Sequence, residues 1–101
     1  MTVYVDKEQN RLGRMIMCHM FADSIAELHS MADAIGMRRE WFQPFSFPHY
    51  DVAKGRRAKA ISLGAVEVDR QRGSAIRRAL RNSLVFRAEW KKAIASHLPK
   101  V

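Results

Sequence analysis

The sequence predicts an α/β protein with a small, mostly parallel sheet of three or four strands and three helices, the last of them long and basic. Two observations predict this class. Short apolar or β-branched segments alternate with longer segments of helical periodicity, which is the order typical of α/β folds. The chain of 101 residues is 48% hydrophobic, an ordinary value for one globular domain.

The first half of the chain contains two predicted strands and the clearest predicted helix. The segment TVYVD (2–6) alternates and is β-branched, and RMIMCHMFAD (14–23) is apolar on both faces, as in a strand covered on both sides. The second segment also fits a buried helical start, and we prefer the strand. Apolar residues at helical spacing predict a helix over 23–36, capped by Asp23 or Ser24 and ended by a glycine.

The second half continues the alternation. An aromatic segment around 41–43 predicts a short strand, and DVAKGRRAKAISLG (51–64) predicts a helix with Asp51 as its N-cap. AVEV (65–68) predicts another short strand. The last helical pattern covers 74–98, either as one long helix or with a break near Asn82. We therefore expect an α/β core over residues 1–69 and a basic amphipathic helical extension over 70–101 that packs on the core.

Net charge is concentrated in the second half. Residues 1–50 hold five Lys and Arg against six Asp and Glu, whereas residues 51–101 hold thirteen against four. Such asymmetry favours an anionic partner, and a solvated basic face is an equally weighted alternative. By helical angle, five cations share one flank of the last helix and are the predicted nucleic-acid contacts: Arg77, Arg78, Arg81, Lys91 and Lys92.

Several classes of protein are disfavoured. The chain has one cysteine, Cys18, which excludes an internal disulfide and a zinc ribbon. No apolar run is long enough for a membrane span, and the N-terminus lacks the features of a signal peptide, so we expect a cytoplasmic protein without a membrane partner. The glycine-rich loops that bind nucleotide phosphates are absent from the sequence.

Several blocks in order carry a family resemblance: TVYVD, GRMIMCHMFADS, ELHSMADAIGMRREWF, PHYD and RAKAISLGAVEV. Over about residues 1–70 the chain resembles a small bacterial and phage family, the domain of unknown function 4031. The resemblance implies no activity, and it implies a bacterial cell or a phage-infected host as the setting. It implies that the following residues lie in characteristic blocks: Arg14, His19, Asp23, His29, Trp41, His49, Tyr50, Asp51 and Glu67.

A polar cluster is expected where the strands end, because ligands of open α/β sheets bind at the carboxyl ends of the strands. The candidate catalytic residues are His19, Asp23, His49 and Asp51, which could move a proton on a phosphate ester. The side chains predicted to hold the ligand or its phosphate are Arg14, Tyr50 and Arg57. The histidine spacings do not fit a zinc motif, so no metal site and no cofactor is predicted, with a divalent metal as a weaker alternative.

Three functions fit these observations. The leading one is a nucleic-acid-associated binding module that uses the basic helix, which favours a protein that is not an enzyme. The second is a small phosphodiesterase or nucleotide hydrolase. The third is a phage-type inhibitor that binds an acidic host protein. The oligomeric state is open, with a homodimer among the alternatives.

Overall fold

The computed structural model describes residues 2–7, 10–12 and 15–98, and it confirms the α/β class. A mixed sheet has helices packed on both of its faces. In chain order the elements are β1 (Val3–Asp6), β2 (Asn10–Leu12), β3 (Met15–Ala22), α1 (Ile25–Ala34), a 3₁₀ turn (Arg39–Trp41), β4 (Tyr50–Ala53), α2 (Lys54–Ser62), β5 (Val66–Val68), α3 (Arg70–Arg81) and α4 (Leu84–His97).

The long strand β3 organises the sheet. Strand β4 pairs antiparallel with one edge of β3, and β1 and β2 pair antiparallel with successive parts of the other edge. Strand β5 then adds parallel to β1, which makes the sheet four strands wide. The prediction of a mostly parallel sheet is therefore wrong. Parallel neighbours need a crossover of about a dozen residues or more, and the connection from β1 to β3 is too short for one.

Helix α1 agrees with its prediction. The Ser24 hydroxyl accepts a hydrogen bond from the Glu27 backbone N–H at 3.2 Å and donates one to the Glu27 carboxylate at 3.0 Å. The helix stops before Gly36, whose φ of +80° is a conformation that side chains with a Cβ rarely adopt. Both ends are thus fixed by residues identified from the sequence.

Strand β4 is the largest departure from the sequence prediction. Asp51 does not cap a helix, because it lies within β4, and α2 begins only at Lys54 after the extended residue Ala53. The alternation of buried Tyr50 and Val52 with more exposed neighbours is the pattern of a strand. The strand predicted around 41–43 is likewise wrong, since residues 39–41 form a 3₁₀ turn and Gln43 makes only an isolated bridge to His49.

The predicted C-terminal helix is two helices, so the expectation of three helices is also wrong. Asp69 accepts a hydrogen bond from the Arg72 N–H at 2.8 Å and begins α3 earlier than predicted. After a turn at Asn82, Ser83 accepts a hydrogen bond from the Phe86 N–H at 3.3 Å and begins α4. Over the described residues, no helix combines the length and apolar character that crossing a membrane requires.

The two faces of the sheet differ in how completely they are covered. One face carries the larger core with α1 and α2, and it includes Val5, Met20 and Tyr50, all 0% exposed. The other face carries a smaller aromatic core under α3 and α4, formed by Phe21, Phe47, Val68 and Phe86. His19 and Asp51 lie on this second face but are only partly covered. The incomplete cover creates the candidate site.

Candidate functional site

Strand pairing brings three predicted residues together. His19 on β3 lies directly across from Asp51 on β4, and His49 precedes β4 by one residue. Side chains two residues apart on a strand point to the same face, so His49 and Asp51 face the same way as His19. The three side chains form what we call the His-His-Asp cluster, which consists of His19, His49 and Asp51.

The spacing within the cluster is wider than that of direct hydrogen bonds, and the distance between His49 and Asp51 fits two ligands of one metal ion. His49 Nε2 lies 3.4 Å from Asp51 Oδ1, and His19 Nε2 lies 3.9 Å from the same oxygen. Potential ligand atoms of the three side chains all lie within 4.8 Å of one another. Hydrogen bonds between such groups measure about 2.7–3.2 Å, whereas ligands bonded at about 2.0–2.2 Å to one metal ion are separated by about 3.0–3.6 Å.

Nδ1 of each cluster histidine lies within hydrogen-bonding distance of an acceptor. His19 Nδ1 lies 2.7 Å from the carboxylate of Asp6, which is 1% exposed, and His49 Nδ1 lies 2.6 Å from the Phe47 carbonyl. A carbonyl oxygen can only accept, so His49 Nδ1 carries the proton, and the carboxylate favours the same arrangement at His19. In the neutral rings Nε2 is then the basic atom. This is the orientation that metal-binding histidines usually show.

Two further hydrogen bonds, made by Asp6 and Gln43, hold the cluster in place. Asp6 also accepts the His19 backbone N–H at 2.9 Å, which joins the buried carboxylate to β3. The Gln43 amide donates to Asp51 Oδ2 at 2.8 Å, while the histidines approach Oδ1. Gln43 is itself held by backbone hydrogen bonds with His49 in both directions. Each carboxylate oxygen of Asp51 thus has a separate role.

A cationic pocket of about 190 Å³ adjoins the two histidines. Arg77 and Arg81, one turn apart on α3, line it together with His19 and His49. The Arg77 guanidinium lies 5.1 Å from the Phe21 ring centre, and that of Arg81 lies 5.2 Å from the Phe47 ring centre. Stacking on these rings holds both cations over the pocket. An anionic group in it would meet two guanidiniums and the imidazole edge.

Asp23 does not join the other three catalytic candidates. It follows the far end of β3, where it accepts hydrogen bonds from the Tyr4 hydroxyl at 2.9 Å and from the Thr2 backbone N–H at 3.0 Å. Burial and the hydrogen bond to Asp23 raise the pKa of Tyr4. Asp23 therefore fastens the start of the chain to the end of β3.

Two of the predicted ligand-binding residues, Tyr50 and Arg57, also lie apart from the cluster. Tyr50 is fully buried on the opposite face, where its hydroxyl lies 2.7 Å from His29 Nδ1, and burial raises its pKa to about 12. Arg57 donates to the Asp6 carbonyl at 2.9 Å and pairs with Glu67 at 3.2 Å, in a separate pocket beside Cys18. Arg14 lies outside the described residues.

The predicted nucleic-acid contacts are divided between two helices. Arg77, Arg78 and Arg81 lie on α3, and Lys91 and Lys92 lie on α4 beyond the turn at Asn82. Arg77 and Arg81 line the cationic pocket. Arg77 is half-buried, whereas Arg81 is exposed, as are Arg78 and Lys91. Binding of nucleic acid or of an acidic protein stays a prediction.

The predicted site residues did not include two residues of the site, Asp6 and Gln43. Asp6 was recognisable as an acid at a strand end, but nothing in the sequence paired it with His19, thirteen positions away. Gln43 reaches Asp51 only because the chain between Gln43 and His49 folds back on itself. Such contacts depend on strand register, which the spacing of residues does not reveal.

A family described as "Protein of unknown function (DUF4031)" matches residues 3–81. The chain belongs to this family. The DUF4031 match contains the five strands of the described residues, the His-His-Asp cluster, Asp6, and α3 with its two pocket arginines. It confirms the predicted resemblance and places the whole candidate site within the DUF4031 region. Comparison with curated proteins and with solved structures gave no match.

Proposed function

We propose that this protein binds a divalent transition-metal ion at the His-His-Asp cluster and uses it to hydrolyse phosphate esters. One observation carries the proposal: two imidazole Nε2 atoms and one carboxylate oxygen converge, while Nδ1 of each ring has its own acceptor. Two of the ligands come from paired strands, so the backbone holds them in register. Sites on regular elements position ligands more accurately than sites on loops.

The donor set favours certain ions. Two imidazole nitrogens and one carboxylate oxygen suit Zn²⁺, Fe²⁺ or Mn²⁺, whereas Mg²⁺ and Ca²⁺ prefer oxygen ligands. Three protein ligands also leave a position for water, as in catalytic sites, while structural zinc sites use four protein ligands. His19 and Asp51 are 31% and 30% exposed, which gives solvent access to that position.

The cationic pocket supports a phosphate ester as the substrate. Arg77 and Arg81 lie where they would bind the non-bridging oxygens of a phosphoryl group held against the metal. A divalent ion held by His19, His49 and Asp51 would act as a Lewis acid that makes water a better nucleophile toward phosphorus at near-neutral pH. The ester P–O bond breaks, and the departing alkoxide takes up a proton, so the net reaction consumes one water and releases an alcohol.

Metal titration of the purified, metal-stripped chain tests the first half of the proposal. We expect one Zn²⁺ or Mn²⁺ ion per chain, with affinity lowered at least about 100-fold in His49→Ala and Asp51→Asn. The matched controls are His97→Ala and Asp33→Asn, which alter an exposed histidine and an exposed aspartate elsewhere and should bind like the wild type. Unchanged affinity in both cluster variants would overturn the assignment.

Hydrolysis of p-nitrophenyl phosphate and bis-p-nitrophenyl phosphate with each metal tests the second half. We expect metal-dependent release of nitrophenol that falls about 10- to 1,000-fold in Arg77→Gln, because a charge-stabilising donor is lost. Arg78→Gln, one position along α3 and outside the pocket lining, should leave the rate unchanged. A chain that binds the metal tightly and hydrolyses neither ester contradicts the hydrolytic role.

A further inference from the structure

A second pocket, of about 390 Å³, lies on the other side of Asp51. It is mainly apolar, and Asp51 is the residue that it shares with the His-His-Asp cluster. Its lining consists of Met17, Met37, Glu40, Trp41, Gln43, Asp51, Ala53 and Arg56. We call it the Trp41 pocket.

The cluster therefore lies between two compartments of different chemistry. The histidines border the cationic pocket, Asp51 borders the Trp41 pocket, and Asp51 Oδ1 is within 4 Å of both histidines. Small-molecule sites usually measure about 300–1,000 Å³, so the cationic pocket alone suits a single small group, while the Trp41 pocket admits a ring system. A ligand that extends past Asp51 would place one part in the cationic pocket and another part in the Trp41 pocket.

The Trp41 pocket suits a planar group that also carries polar atoms. Trp41 is 41% exposed, and the Arg56 guanidinium lies 5.4 Å from its ring centre. The side chain of Met17 adds apolar surface, and the amide of Gln43 and the carboxylate of Glu40 add hydrogen-bonding groups. A purely aliphatic group would remove these polar atoms from water without pairing them, which costs affinity. A nucleobase offers both a stacking face and hydrogen-bonding edges.

We infer that the substrate is a phosphate ester of a nucleoside, with its phosphate against Arg77 and Arg81 and its base in the Trp41 pocket. This inference rests on the proposed function for the hydrolysis step, whereas binding of the nucleotide can be measured in the absence of hydrolysis. Trp41 is then the residue that selects the substrate, since it is remote from the phosphate contacts. Gln43 links the two parts, because it lines the Trp41 pocket and holds Asp51 by a 2.8 Å hydrogen bond.

Calorimetric titration with three probes tests the inference: adenosine 5′-monophosphate, ribose 5-phosphate and adenosine. The titrations are run both in a chelator and with Zn²⁺. We expect the nucleotide to bind about tenfold tighter than ribose 5-phosphate, the effect of one base–aromatic stack. Trp41→Ala should abolish this preference and leave the affinity for ribose 5-phosphate within about twofold of wild type. Phe45→Ala, at an exposed aromatic residue outside the pocket lining, is the matched control.

The two proposals fail in different ways. Equal affinity for the nucleotide and ribose 5-phosphate, or a preference that survives Trp41→Ala, overturns the substrate assignment even if the metal binds and esters are hydrolysed. A nucleotide preference in the chelator, together with no metal binding, supports the two pockets as a nucleotide-binding site and overturns the hydrolytic function. If Trp41→Ala fails to fold, Arg56→Gln replaces it, and an unchanged nucleotide preference in that variant counts against the inference.

Discussion

The residues of the site differ in how readily the sequence identifies them. His19, His49 and Asp51 could be selected because they are ionisable side chains near strand ends, and the structure brings them together. Asp23 shared those properties and lies elsewhere. The difference is register: His19 and Asp51 are direct cross-strand partners, and only the pairing of β3 with β4 makes them so. Residue type therefore indicated the chemistry, while strand register decided which residues take part.

His29 should make the stability of the fold depend on pH. Burial, and secondarily the charge of Arg39, lowers the pKa of His29 below its ordinary value of 6.5. The unfolded chain then binds a proton before the folded chain does, so this contribution is complete above about pH 6.5 and is lost as the pH falls through the lowered pKa. We expect the free energy of unfolding to decline as the pH falls below about 6.5, and to decline less in His29→Asn.

Urea unfolding at several pH values measures this contribution. His97→Asn is the matched control, since it removes an exposed histidine from α4 and should retain the wild-type slope against pH. The wild type and His29→Asn would have to lose stability in parallel for the expectation to fail. The cluster histidines are present in every variant, so the difference between the curves belongs to His29.

At the scale of elements, helix α3 holds the cationic side of the site and contains a glycine. Gly73 is buried in α3, and an added Cβ would lie 3.4 Å from the Arg77 guanidinium and 3.5 Å from Val68 Cγ2. Both are ordinary contacts, so Gly73→Ala should gain helix propensity of up to about 1 kcal/mol. We expect a midpoint of urea unfolding above that of the wild type, with an unchanged slope against urea.

The same substitution tests whether Arg77 has room to remain over the pocket. A methyl group beneath the guanidinium should leave the affinity for ribose 5-phosphate within about twofold of wild type, because the contact is not a clash. Gly55→Ala in α2, where nothing lies within 4 Å of the added Cβ, is the comparison. A midpoint that falls in Gly73→Ala and rises in Gly55→Ala would show that packing at α3 is tighter than these distances imply.

The elements predicted correctly are those whose signal is local. Strand β3 and helix α1 follow from apolar periodicity, and the Ser24 cap follows from its position before the first periodic residue. Strand β4 was missed because Asp51, three residues after a proline and followed by a helical pattern, has the features of an N-cap. The turn at Asn82 was underestimated because the apolar stripe continues through it into α4, where Phe86 is buried in the aromatic core.

At the scale of the whole molecule, the order of strands in the sheet could not be predicted from the sequence. The alternation of strands and helices favours parallel pairing, yet among the described strands only β1 and β5 pair that way. Strand β1 pairs antiparallel with one edge of β3, and β4 pairs antiparallel with the other edge. That order leaves His19 and Asp51 side by side on the incompletely covered face. The fold class was therefore predictable, and the site depends on the topology that was not.

Because the chain carries a net charge of +8, we expect it to bind polyanions. A single-stranded oligonucleotide of mixed sequence should bind in a chelator at low salt, with a logarithmic affinity that falls linearly against the logarithm of salt concentration. If the phosphates enter the cationic pocket, Arg81→Gln should weaken binding and reduce the magnitude of that slope by about 0.7, the value of one phosphate contact on a single strand. Lys91→Gln removes an exposed cation from α4 and should leave the slope unchanged.

Fluorescence anisotropy of a labelled oligonucleotide at four or more salt concentrations gives both slopes. An equal reduction in the two variants would mean that the strand contacts α4 as well, and an unchanged slope in Arg81→Gln would place the polyanion away from the candidate site.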